Sequence, residues 1–321
     1  MAVFTRVSPE QLQTLLESYF DAPEVTEFQG IAAGIENTNY FVSVISGGEE
    51  TRWVLTIFEM VTAEELPVFI DLMQGLAQQG FPAPAPHPML DGSSLAYIEG
   101  KPCVLAPRIA GGHLDTPTLD QCAIAGDLLG AMHLASRSAP GRREVVRTVG
   151  WMQSHRDDLA SHIKPDELAL LNAEIEHFQQ QADIWAQCPN GWIHGDLFVD
   201  NVMFDGDKVS GVIDFYHACH DCWLFDLAVA CNDWCCDAEG HYDQEKLSAF
   251  VEAYDNKRPL SDLEKSQWSD ALRVGALRFW ISRLISQYGK GYQHEAERGN
   301  TLKNPDEMKA KLLSAHKIAA L

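Results

Sequence analysis

The residues best suited to chemistry stand in one short run, Ile193-His194-Gly195-Asp196-Leu197-Phe198-Val199-Asp200-Asn201, followed by Ile213-Asp214-Phe215. A His-x-Asp-x-x-x-x-Asn run and then a hydrophobic-Asp-aromatic step offers what phosphoryl transfer needs: one carboxylate for an acceptor hydroxyl and oxygen ligands for Mg²⁺. Asp196 is placed to take the hydroxyl proton. Asn201, five residues on, is placed to return to the metal alongside Asp214. Each polar position is flanked by apolar residues (Trp192, Ile193, Val202, Met203, Val212, Ile213), as in buried strands with polar ends.

Those residues need elements to hold them. Asp205-Gly206-Asp207-Lys208 reads as a tight turn, with Gly206 free to take positive φ, between two short strands that carry Asn201 and Asp214. Upstream, Ser8-Pro9-Glu10-Gln11 is a capping-box start, and Leu12, Leu15, Leu16, Tyr19 and Phe20 make one helical stripe. Strand signals follow at Thr38 to Ile45 and Arg52 to Phe58, joined through Gly47-Gly48, and at Leu95 to Ile98 and Cys103 to Ala106 around Gly100. A helical segment, Ala63 to Gln79, separates the two pairs. Pro82-Ala83-Pro84-Ala85-Pro86 is a stiff extended connector.

This pattern predicts a small α+β lobe over residues 1–105, a hinge at 106–110 and a mainly helical lobe over 111–321. The helical signals are Leu119 to Ala135, Asp166 to Ala186, Trp223 to Cys236, Glu245 to Tyr254, Asp262 to Tyr288 and Asp306 to Ala319. Only the motif hairpin interrupts them. A nucleotide is expected in a cleft between such lobes, with backbone groups near Ala106 and Ile109 serving its base.

The 321 residues are 46% hydrophobic, enough for two lobes, and carry 24 Lys+Arg against 46 Asp+Glu, a formal charge of −22. That balance disfavours nucleic acid or an anionic membrane as partner, and it repels ATP mildly, so a nucleotide needs Mg²⁺ and local donors. No secretory leader and no membrane-length apolar run is visible, which predicts a cytoplasmic protein. The eight cysteines suit a reducing compartment. His217, Cys219, His220, Cys222, Cys231, Cys235 and Cys236 match zinc spacing loosely. Buried thiols on an apolar helix account for them without a metal.

The Ile-His-Gly-Asp run and Ile213-Asp214-Phe215 resemble the choline kinase and aminoglycoside phosphotransferase superfamily, which has a bilobal protein-kinase-like fold of class α+β. Gly34-Ile35-Glu36-Asn37-Thr38-Asn39-Tyr40-Phe41-Val42, Trp53 to Glu59, Glu65-Leu66-Pro67, Asn232 to Cys235 and Arg278 to Leu284 look like the bacterial homoserine kinases within it. The resemblance covers most of the chain. It implies that Asp196 is the catalytic base, that Asn201 and Asp214 hold Mg²⁺, that His194 is structural and that Asp226 buttresses the catalytic loop. A plain helix-terminal acid is the other reading of Asp226. The loop from Ile31 to Asn39, with Gly34, Asn37, Thr38 and Asn39, takes the nucleotide-loop position.

One departure stands out. Thr56 lies where kinases of this fold place a phosphate-binding Lys, so Glu64 and Glu65 lose an ion-pair role, and Lys101 or Arg52 could substitute. The resemblance implies ATP-dependent phosphorylation of the side-chain hydroxyl of L-homoserine in threonine biosynthesis. An amino acid needs a cation for its carboxylate and an acid for its amine, which makes Arg283, Arg278 and Asp233 the candidates. Interhelix ion pairs are the other reading of the arginines. Two alternatives stay open: an aminoglycoside or choline kinase, and a non-catalytic nucleotide-binding protein.

Overall fold

The computed structural model describes residues 3–31, 37–289 and 303–321. They divide into two compact units with the boundary after Gly111, residues 139–141 and 210–213 being counted with the first.

In the first unit, helix α1 (Pro9–Leu16) starts with the expected capping box: the Ser8 hydroxyl accepts the Gln11 amide, and the Gln11 side chain accepts the Ser8 amide. Leu12, Leu15 and Leu16 are its buried stripe. A five-stranded sheet of order β1-β2-β3-β5-β4 follows, every neighbour antiparallel: β1 (Glu24–Gly30), β2 (Asn37–Ser46), β3 (Glu49–Phe58), β4 (Ala96–Ile98) and β5 (Lys101–Pro107). Helix α2 (Leu66–Gln78) lies between β3 and β4 in sequence. Side chains alternate across the sheet. One face, with Tyr40, Val42, Val44, Trp53, Leu55, Ile57, Cys103 and Leu105, forms a single core with α1. The opposite face therefore carries Asn39, Val54, Thr56, Val104 and Ala106.

The second unit holds α3 (Leu119–Ala135), α4 (Val149–Leu159), α5 (Pro165–Gln180), α6 (Ala182–Trp185), α7 (Trp223–Trp234), α8 (Gln244–Lys257), α9 (Asp262–Ser266), α10 (Trp268–Tyr288) and a last helix, here α11 (Pro305–Ala315). Strands β6 (Asn190–Ile193) and β9 (Cys219–Cys222) pair antiparallel, and β7 (Val202–Asp205) pairs with β8 (Lys208–Val212).

Several boundaries correct the sequence reading. The segment expected as one helix from Asp166 to Ala186 is two, because the Gln181 amide turns back to His177 and Phe178 and closes α5. Asp262 to Tyr288 is broken at Gln267, since Ser261 and Glu264 build their own capping box for the short α9. The last helix stops at Ala315, not Ala319, where the Lys317 and Ile318 amides bond three residues back. Asn201 and Asp214 are not carried by strands: Asn201 ends a 3₁₀ turn (Val199–Asn201) before β7, and Asp214 stands two residues beyond β8. Gly206 takes a φ of +62°, as expected.

All eight cysteines are free thiols; seven are buried and Cys236 is half-buried. Among the described residues, no group of three or more His, Cys, Asp or Glu side chains is arranged to hold a metal ion. No described helix is long and apolar enough to cross a membrane.

Candidate active site

The chain leaves β6 at Ile193 and bends through His194 and Gly195 into Asp196. Gly195 is required there. Its φ is +77°, and a Cβ would stand 3.2 Å from the His217 carbonyl oxygen, so a side chain meets both backbone strain and a fixed neighbour. The bend is held from below by Asp226, in the first turn of α7. Its carboxylate accepts the amides of His194 (2.8 Å) and Gly195 (2.7 Å) and pairs with His133 Nε2 (3.0 Å).

His133 in turn meets the Tyr254 hydroxyl at 2.7 Å through Nδ1. Burial pushes the His133 imidazole below its ordinary value against the pull of Asp226, which favours the neutral ring. Burial also pushes the Asp226 carboxyl upward, but the His133 hydrogen bond and charge, His194 and the Gly195 amide outweigh it and leave the group below the ordinary range. The consistent arrangement is Tyr254 O–H to Nδ1 and Nε2–H to an ionised Asp226. Asp226 thus ties down the bend through the His194 and Gly195 amides and is not a bare helix-terminal acid. His194 is fully buried, its ring against Phe215 at 4.9 Å, in keeping with a structural part.

Beyond the bend, the Asn201 amide Nδ2 donates to the Asp196 carbonyl at 2.8 Å and lies 3.4 Å from Oδ2 of the same residue. The Asn201 amide is thereby oriented with Oδ1 as its remaining acceptor. Asp214 adopts a left-handed backbone (φ 66°, ψ 56°), which Asp tolerates better than most residues and which is common where function fixes geometry. The Asp196 carboxyl is pushed up to about 7, by burial first, with the Asp214 and Asp200 charges adding to the rise and His217 and Lys303 opposing it. A half-buried carboxyl with its proton affinity raised toward neutrality, with an amide oxygen and a second carboxylate beside it, is an all-oxygen set that fits a hard divalent cation and a proton acceptor.

The acceptor candidates are tied to this loop unequally. Asp233, near the end of α7, accepts the Val199 amide at 2.8 Å and so holds the turn that ends in Asn201. Burial raises the Asp233 carboxyl, with Lys311 pulling it down. Arg283 is committed elsewhere: its guanidinium donates to Glu307 Oε2 (2.7 Å) and to the Asn304 carbonyl (2.9 Å). Arg278 bonds Asp221 (2.9 Å) and lies 3.6 Å over the Phe225 ring, beside the strand end remote from Asp196. Both arginines are buried ion-pair partners, the other reading their places on a helix allowed.

In the first unit, Asn39 and Thr56 face each other in register across β2 and β3, and the Thr56 hydroxyl donates to Asn39 Oδ1 at 2.8 Å. Thr38 is fully buried on the opposite, α1-packed face, its hydroxyl accepting the Phe4 and Thr5 amides and donating to Glu59, so its part is to fix the start of β2. Lys101 shares that α1-packed face and bonds Glu59 and Thr5, which excludes it as a replacement for a Lys at position 56. Arg52 is exposed near the start of β3, its Ser43 pairing four pairings from that of Thr56 with Asn39. Ala106 still lies in β5, paired with Val54, and Ile109 follows the strand. Asn37 opens β2, while Gly34 lies outside the described residues.

His133, Tyr254, Glu307, Lys311 and Lys303 escaped the sequence reading. A lone His in the apolar run of α3 was the one visible signal among them.

Comparison with known proteins bears on the same residues. A family model described as phosphotransferase enzyme family matches residues 27–260. A protein of Methylobacillus flagellatus named homoserine kinase is 45% identical, the match covering 90% of this chain and 88% of that one. One of Ralstonia pickettii with the same name is 42% identical, covering 90% and 89%. Among solved structures, a microcompartment-associated aminopropanol kinase aligns with a TM-score of 0.70 at 18% identity over 97% of each chain. An amicoumacin kinase in complex with AMP-PNP and Ca²⁺ aligns at 0.68 and 14%, covering 97% of this chain and 92% of that one.

Proposed function

The chain belongs to the phosphotransferase enzyme family, and from that membership we propose that it transfers the γ-phosphoryl group of ATP to the side-chain hydroxyl of L-homoserine. The observation that carries the acceptor is the similarity, over nine-tenths of the chain, to relatives named homoserine kinase. The geometry around Asp196 supports the reaction type. The product is O-phospho-L-homoserine, an intermediate of threonine biosynthesis.

A primary alcohol is a poor nucleophile at neutral pH, so the hydroxyl needs orientation and a proton acceptor. The Asp196 carboxylate receives the proton as the hydroxyl oxygen bonds to the γ-phosphorus and the bond to the β-phosphate oxygen breaks, releasing ADP. Its burial matches its proton affinity to neutral pH. Asn201 Oδ1 and the Asp214 carboxylate would hold Mg²⁺. When bound, Mg²⁺ neutralises charge on the phosphates.

Asp226 contributes by fixing the bend that aims Asp196, and Asp233 by fixing the turn that aims Asn201. In the first unit, Asn37, Asn39 and Thr56 face the nucleotide, and the backbone at Ala106 and Ile109 serves its base. The units 1–111 and 112–321, apart from the short exchanged segments, act as nucleotide-binding and catalytic lobes.

Asp196→Asn tests the assignment. The variant keeps the size and one acceptor oxygen but not the proton affinity. Homoserine-dependent ADP release should fall by at least about a hundredfold, the lower end for loss of a general base, while ATP binding measured by calorimetry persists. Near-normal turnover in a well-folded variant would remove Asp196 from its role.

A further inference from the structure

With Arg278 and Arg283 both spent on internal carboxylates, the substrate carboxylate needs another cation near Asp196. Lys303 stands there. Its Nζ is 3.6 Å from Asp200 Oδ2 and 5.1 Å from the Phe198 ring centre, so it overlies the segment that joins Asp196 to Asn201. Its charge is close enough to lower the proton affinity of both Asp196 and Asp233.

The other basic groups linked to this loop differ in exposure. Lys311 is 3% exposed and bonded to Glu307, and the Arg283 side chain is 8% exposed; the Lys303 side chain is 52% exposed and its partner Asp200 is 55% exposed. A 3.6 Å contact between two half-exposed side chains is a weak, solvent-screened ion pair that either partner leaves at little cost. Such a pair is complementary to an α-amino acid, whose ammonium and carboxylate are borne by one carbon and replace each partner's charge by its like.

The placement of Lys303 is itself built. Arg283 donates to the carbonyl of Asn304, the next residue and the N-cap of α11, and to Glu307 one turn further on. Glu307 also takes Lys311, whose ammonium is 4.0 Å from Asp233, the residue that holds Val199. Arg283 and the first turns of α11 thus set Lys303 against the loop.

We propose that Lys303 binds the carboxylate of the amino-acid acceptor and Asp200 its ammonium, with Arg283 as a positioning residue acting through Asn304 and Glu307. This rests on the homoserine reading and names the groups that would enforce it. It moves the expected clamp from Arg283 to a lysine of the C-terminal segment.

The experiment compares wild type, Lys303→Met, Lys303→Arg and Asp200→Asn, with L-homoserine and with the corresponding amino diol, in which CH₂OH replaces the carboxylate. Lys303→Met should raise the homoserine KM at least tenfold, leave the ATP KM within twofold, and abolish the preference for homoserine over the amino diol. Lys303→Arg should restore most of that preference, and Asp200→Asn should raise the homoserine KM with the preference retained. An unchanged preference in a folded Lys303→Met enzyme overturns the proposal. So does a rise in the ATP KM alone, which would put Lys303 on the nucleotide phosphates. A wild-type enzyme that turns over neither acceptor would instead refute the homoserine reading itself.

Discussion

The most constrained single residue is Asp226. A fully buried carboxylate that accepts two backbone amides and one imidazole N–H has no neutral substitute, because an Asn there must point its NH₂ at one of those donors. Asp226→Asn takes an acceptor from at least one of these donors, at about 1.5–3 kcal/mol for a hydrogen bond to a charged group, and is expected to slow turnover more than it changes either KM. The pH dependence has a definite sign. The folded-state pKa is depressed, so the stabilisation is complete above the unfolded value of about 3.9 and is lost as pH falls through the folded value. The stability gap between wild type and variant, read from urea unfolding, should hold constant from pH 7 to 5 and shrink below about pH 4. A gap that widened on acidification would mean that Asp226 is not the charged partner. The lone His133 in an apolar helix was visible in the sequence, but nothing there tied it to Asp226 or Tyr254, 93 and 121 positions away.

At the scale of elements, the tight 205–208 turn and the apolar helix from Trp223 were legible because their determinants are local, whereas the 3₁₀ turn that carries Asn201 was read as strand. Two glycines between β6 and α7 separate strain from contact. Gly195 and Gly206 have similar positive φ, +77° and +62°, yet a Cβ at Gly206 meets nothing within 4 Å, whereas at Gly195 it meets the His217 carbonyl at 3.2 Å. Gly206→Ala should cost about 1 kcal/mol, the left-handed penalty alone, with turnover unchanged. Gly195→Ala should cost more and lower kcat, because the bend aims Asp196. Equal effects on kcat, measured with thermal melts on both variants, would contradict that division. Elements without a local signature stayed hidden. β1 is an edge strand of polar residues, four of its seven positions exposed, α4 buries only Met152 and Leu159, and β9 is Cys-His-Asp-Cys. None offers a clean apolar period. Helix breaks at Gln181 and Gln267 were missed for the opposite reason, since apolar periodicity runs on through them.

For the whole molecule, the α+β class and the kinase-like reading followed from the order of strand and helix signals around one motif. The acceptor side resisted, because it depends on distant charges meeting. Arg278 and Arg283 look available in sequence, and only three-dimensional pairing shows them bound to Asp221 and Glu307. The net charge of −22 weighs against polyanionic partners and leaves a small zwitterion unaffected. The central claim is the identity of that acceptor, and it is tested most directly by Mg·ATP-dependent ADP release with L-homoserine, choline, kanamycin and no acceptor. Turnover confined to L-homoserine, with O-phosphohomoserine as product, is the predicted result. Turnover with choline or kanamycin and none with homoserine would keep the catalytic loop and contradict the acceptor.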